Sequence, residues 1–229
     1  MRTPGTELPN IRTAYTPSER ALIARLRTPE AVQRFLNETT YNDEPDGETL
    51  KSFRGAVEKK NVHCLEAALF AAAVLEHHGY PPLLLSFESV DKLDHVLFIY
   101  KDNGRWGAIA RSRDPGLHGR RPVFRSLRAL AASYMAPFID YTGEITGFAP
   151  YDLRDLTGCD WRFSPRNVWR LERVLLEIPH APLRWVKGRV RKERARYRAF
   201  MKANPGKKQM DYPGRDTWSE LPRKFKSQS

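Results

Sequence analysis

Apolar residues change their spacing several times along this chain, and each change marks an element. Leu22, Ile23 and Leu26, then Val32, Phe35 and Leu36, recur at helical intervals. Thr16-Pro17-Ser18-Glu19 opens this pattern and Thr28-Pro29-Glu30 restarts it. A hydroxyl ahead of proline supplies an N-cap oxygen at a position where the missing N–H costs nothing. Residues 41–49 are dense in Asn, Asp, Pro and Gly and predict a loop. From Ala67 to Leu75 no polar residue interrupts the sequence. A helix apolar all round is predicted to be buried on all sides. It runs from Cys64 to His78, with Gly79 as its stop and Pro81-Pro82 forbidding continuation.

Three runs with strand character follow: Leu83–Phe87, His95–Tyr100 and Trp106–Ala110. Asn103-Gly104 between the last two predicts a two-residue hairpin turn, since both residues tolerate positive φ. That register sets Ser112 opposite His95, with Asp114 two residues beyond on the same face. Residues 121–125 add a further strand and Leu127–Tyr134 a short helix. Ser164-Pro165 is read as the cap and first turn of a helix carrying Val168, Leu171, Leu175 and Ile178 on one stripe. There is no internal repeat and no low-complexity tract. From Val186 the pattern is sparse and basic, and Lys202–Ser229 is expected to be loose or partner-dependent.

Composition adds two points. The net charge of +12 is unevenly placed: residues 187–229 hold 14 Lys or Arg against 4 Asp or Glu, while residues 1–186 hold 25 against 23. The body, residues 1–185, is therefore nearly neutral, and the tail, residues 186–229, carries the excess. No apolar run is long enough to span a bilayer, and Met1 to Asn10 has no apolar stretch to act as a secretion signal. The only cysteines, Cys64 and Cys159, form no disulfide framework and are too few for a cysteine-based zinc site. A reducing, cytoplasmic compartment is expected, where a thiol stays chemically available.

Cys64 and His95 are the residues that carry chemistry. With Asn61 as the N-cap, Cys64 falls in the first turn of the buried helix. There the helix dipole favours a thiolate and the free N–H groups suit an oxyanion. His95, at the mouth of a strand apolar on both faces, can act as the base. A third group should orient its ring. Either Ser112 or Asp114 can accept from the imidazole: Asp114 stabilises an imidazolium better, and Ser112 is better placed.

A cysteine at a helix start, then a histidine on a strand, then an acidic group on the hairpin partner resembles the transglutaminase-like, papain-type superfamily. Asn61-Val62-His63-Cys64-Leu65-Glu66-Ala67-Ala68, with Asp94-His95-Val96 and Trp106-Gly107-Ala108, resembles a bacterial transglutaminase-like subgroup. Ser112, Leu117, Arg121-Pro122-Val123 and Ser133-Tyr134 fit the same subgroup, and the resemblance covers roughly residues 20–155. The Cys-x-Glu piece is also similar to arylamine N-acetyltransferases, which share the fold. Many members carry Trp-x-x-x-Asp-Pro on the third strand. Here Ala110 stands four residues after Trp106, and Asp114-Pro115 comes later.

The resemblance implies an α+β fold in which a buried helix bearing the cysteine packs on an antiparallel sheet, plus a helical C-terminal extension. It implies a thiol-dependent amide hydrolase or acyl transferase acting on a peptide, amide or acyl substrate, with no cofactor and no metal. Two other readings stand beside it. One is a non-catalytic binding module that keeps the fold but has lost a competent triad. The other is a nucleic-acid-associated protein that binds polyanions through Arg189–Arg198. Glu66 reads as a helix-start charge. His63, His77 and His78 read as surface or loop residues, Asn42 as a turn residue, and Cys159 as inert.

Overall fold

The computed structural model describes residues 8–91, 95–186 and 188–208. Asn10 caps a short first helix, α1 (Ile11–Ala14), its side chain accepting from Arg12 N–H at 2.9 Å. Thr16 caps α2 (Pro17–Arg25), and Glu19 closes a reciprocal capping box with it. Thr28 caps α3 (Pro29–Glu38). Both starts lie where the Thr-Pro pairs predict them. A two-residue strand, β1 (Thr40–Tyr41), leads into the loop. Then come α4 (Phe53–Lys59), a second short strand β2 (Asn61–Val62) that pairs in parallel with β1, and α5 (Cys64–Leu75).

Every residue of α5 from Leu65 to Leu75 is buried, as the absence of a polar face predicts. A 3-10 turn over Glu76–His78 follows, and Gly79 ends it at φ +86°. The five alanines let neighbouring elements approach closely. Phe70 supplies the bulk, stacked on Phe35 at 5.2 Å and beside Phe53 at 5.5 Å. Burying each such large side chain contributes about 1.5–3 kcal/mol.

The chain then builds β3 (Leu83–Ser89), β4 (Val96–Asp102), β5 (Arg105–Ile109), β6 (Arg120–Phe124), α6 (Leu127–Phe138), β7 (Ile145–Asp152), α7 (Trp169–Glu177), β8 (Ala181–Pro182) and α8 (Arg189–Ala203). Six strands form one antiparallel sheet in the order β6-β5-β4-β3-β7-β8. The architecture is mixed α+β. β4 is central, and its alternation splits the core. Val96, Phe98 and Tyr100 face α5, while Leu97 and Ile99 join Phe87, Leu130 and Tyr134 on the side of α6. Tyr100 lies across Gly107, where a Cβ would meet its ring at 2.6–2.9 Å. No helix among the described residues is long and apolar enough to cross a membrane.

Three expectations need correction. The Asn103-Gly104 turn sets the expected pairing, Asp102 with Arg105 through Phe98 with Ile109, but the β4–β5 ladder ends there. Beyond it the chain leaves the sheet, so Ser112 does not face His95 as a strand partner. Asn61 is not the N-cap of α5; it belongs to β2, and His63 is the cap. Ser164-Pro165 does not open α7. The Ser164 hydroxyl turns back on Arg166, accepting from its N–H at 3.1 Å and donating to its carbonyl at 2.8 Å. The Val168 N–H donates to Leu50 O at 2.8 Å, holding the chain out of helix until Trp169.

The basic segment beyond Gly188 forms α8, which docks on residues 141–144. Tyr197 is buried edge-on against Tyr141 at 5.2 Å. Arg194 donates to Thr142 O and Gly143 O and pairs with Glu144. The looseness expected of Lys202–Ser229 falls largely on residues 209–229, outside the described residues.

Candidate functional site

His63, Cys64 and His95 meet at one point. β1 and β2 hold the approach to α5: Tyr41 pairs with Val62, and Asn42 N–H donates to Val62 O at 3.0 Å. Cys64 is therefore the first residue of the helix. Its side chain is partly buried, and the imidazoles of His63 and His95 both act on it. Burial pushes the thiol up, but the hydrogen bonds and positive charge of His63 and His95 outweigh it and hold Cys64 well below the usual thiol range.

His95 sits one residue ahead of β4, buried between the rings of Phe87 and Tyr134 at 6.3 and 6.2 Å. Its Nε2 lies 3.0 Å from the carbonyl oxygen of Leu117. A carbonyl only accepts, so Nε2 carries the hydrogen and Nδ1 is the nitrogen left for sulfur. The group on the far side of the ring is thus a main-chain oxygen.

Ser112 and Asp114 act one step back from it, and both line the same cleft. Asp114 N–H donates to Ser112 Oγ at 3.2 Å. Asp114 Oδ1 accepts from Gly116 N–H at 2.8 Å and caps the 3-10 turn Pro115–Leu117 that presents the carbonyl. From behind, the buried Arg120 donates to Gly116 O (2.7 Å), His118 O (2.7 Å) and Gly119 O (3.1 Å). Its guanidinium lies 4.1 Å over the Tyr134 ring, and Tyr134 O–H donates to His118 O at 3.0 Å. Asp94 lies outside the described residues.

His63 is the site residue that reading the sequence missed. It is no surface residue. Nε2 lies 2.9 Å from Thr49 O and 3.5 Å from Glu66, and Nδ1 accepts from Leu65 N–H at 3.3 Å. Burial lowers its proton affinity, but the Cys64 sulfur, Glu66 and Thr49 O raise it further, to about 9. A protonated ring gives up the long Leu65 bond and gains the sulfur. The signal was its place directly before the helix, where an N-cap side chain reaches the first turn.

Glu66 is more than a helix-start charge. It is fully buried and accepts from His63 N–H (3.0 Å), Lys51 N–H (2.8 Å), Thr49 O–H (3.1 Å) and the Asn42 amide (3.2 Å), with Lys51 Nζ at 2.9 Å. Burial pushes its carboxyl up, but these donors and His63 hold it below the usual range. Asn42 serves this network. His77 and His78 are half-buried: His78 Nε2 lies 2.7 Å from Ile23 O, and His77 packs on Tyr15. Cys159 lies away from the site, its thiol pushed up by burial and by Asp160.

The site opens into a cleft of about 560 Å³, lined by Tyr41, Trp169 and Phe138 among others. Among the described residues no three His, Cys, Asp or Glu groups gather as metal ligands. Neither a scan against models of known protein families nor a search of curated proteins finds a match.

Proposed function

We propose that this chain is a thiol-dependent amide hydrolase or acyl transferase with a transglutaminase-like, papain-type core. The observation that carries the reading is that Cys64, first residue of α5, and His95, its ring fixed by Leu117 O, line one cleft. A sulfur on the first residue of a rigid buried helix is held in place. An imidazole whose outer nitrogen is fixed by Leu117 O presents its inner nitrogen to it.

In this mechanism the Cys64 thiolate attacks the substrate carbonyl, and N–H groups of the first turn of α5 receive the oxyanion. His95 gives its proton to the departing amine as the tetrahedral adduct collapses to a thioester. It then takes a proton from water, or from an acceptor amine, as that group attacks and frees Cys64. Asp114, Ser112, Arg120 and Tyr134 are positioning residues that hold the Leu117 carbonyl on His95. His63 shares the charge on the sulfur.

The test is brief labelling with iodoacetamide across pH, read by peptide mapping. Cys64 should alkylate much faster than Cys159 at neutral pH. Equal or slower labelling of Cys64 in the folded protein means a buried structural thiol and removes the reading.

A further inference from the structure

The cleft has a sign opposite to the rest of the chain. The protein carries a net charge of +12. Yet Glu44, Glu48, Asp91, Asp114, Asp140 and Glu172 all line the cleft around Cys64, against Arg113 as the one Lys or Arg among the described lining residues. Arg113 also pairs, at 3.2 Å, with Asp43. Glu48 comes from the loop before α4 and Glu172 from α7. Among the described residues neither carboxylate has an ion-pair partner. They lie near enough that burial first, then Glu48 and Glu44, raise the proton affinity of Glu172, with His63 opposing them.

The same wall carries apolar surface. Leu176 is 60% exposed, one of few large hydrophobic side chains so placed, and it lines the cleft together with Trp169 and Phe138. An apolar side chain left in water beside a tryptophan, within a cleft that also holds a nucleophile, marks a contact for a substrate. Trp169 also offers a ring face that attracts cations.

We propose that the cleft takes a basic peptide segment, with Lys or Arg against the Glu48–Glu172 wall and a neighbouring apolar side chain on Leu176 and Trp169. This rests on the reading of Cys64 as the nucleophile, and it names what that nucleophile meets. A thiolate facing a wall of carboxylates repels anionic substrates, and one sign of charge in a cleft concentrates ligands of the other sign.

The experiment uses the full chain and reads labelling of Cys64. Two methanethiosulfonates of similar size are compared, one bearing an ammonium group and one a sulfonate. The cationic reagent should react at least about tenfold faster at low salt, and the ratio should shrink as salt rises. The peptide amide Leu-Arg-Leu-Arg-Leu should slow alkylation by iodoacetamide at concentrations where Leu-Glu-Leu-Glu-Leu and spermidine do little. In the Glu48→Gln, Glu172→Gln double variant both the reagent ratio and the peptide protection should fall, whereas Glu30→Gln on the distant face of α3 should leave them as they are. A ratio near one in the wild-type chain, or protection that survives the double substitution, overturns the proposal. Spermidine protecting as well as the peptide overturns its peptide part. If iodoacetamide fails to label Cys64, the nucleophile reading falls and takes this inference with it. If iodoacetamide labels Cys64 fast but charge makes no difference, this inference falls alone.

Discussion

Replacing Glu66 by glutamine tests whether the site rests on a buried ionic network. A helix-start carboxylate at the surface contributes about 0.3–1 kcal/mol through the helix dipole. Glu66 is instead fully buried and meets five donors within 3.2 Å, one of them the Lys51 ammonium. Glutamine turns an N–H2 toward N–H groups that only donate and leaves the lysine without its anion. Breaking a buried pair from one side costs about 3–5 kcal/mol, so Glu66→Gln should lower the unfolding free energy by at least about 3 kcal/mol, within that range. Urea unfolding at neutral pH measures it, with the midpoint shifting at constant slope. The pH dependence has a definite sign. The folded carboxyl is held below its ordinary value, so its stabilisation is fully present above about pH 4.3, the unfolded value, and is lost as pH falls through the folded one. The gap between wild type and variant should therefore close in acid. A loss under about 1 kcal/mol at neutral pH, or a gap that persists in acid, refutes the network.

Three further outcomes follow from the geometry. His95→Ala and His63→Ala should each move the pH midpoint of Cys64 alkylation upward, because each removes a hydrogen bond and a positive charge from the sulfur; an unmoved profile in both means the groups are uncoupled. Gly107→Ala should lower thermal stability by about 1–3 kcal/mol, since its Cβ would overlap the Tyr100 ring, and an unchanged melting temperature would show that the ring yields freely. Ending the chain after Trp185 should keep the sheet and Cys64 reactivity but abolish salt-sensitive retention on heparin. Loss of folding would make the Tyr197–Tyr141 contact part of the core, and retained binding would place the basic surface on the body.

What could be read in advance follows from where the information lies along the chain. α5 was legible because its burial is complete and local, and the hairpin because Asn103-Gly104 dictates its own turn. β7 was not, since Gly147 and Pro150 break the strand pattern, and only its place between β3 and β8 makes the segment extended. The start of α7 depends on Leu50, more than a hundred residues upstream, which no local signal reports. In the site, Cys64 and His95 stood out by residue type. The Leu117 carbonyl could not, because every residue has one. Arg120 was hidden for a related reason: its partners are backbone oxygens and a ring, so no acidic residue pointed to it.

The acceptor on His95 has a consequence for how the protein can vary and how it can be dissected. A main-chain oxygen survives every substitution at its own position, so a scan of side chains through residues 110–120 would find no third member of the proposed triad. Losses would appear at Asp114 and Arg120, which hold the turn that carries the carbonyl, and would look like effects on folding. Chemistry that is heritable only as the shape of a turn is exposed by altering the backbone itself. Replacing the peptide bond after Leu117 by an ester weakens that carbonyl as an acceptor, removes the His118 N–H that donates to Pro115 O, and leaves every side chain as it was.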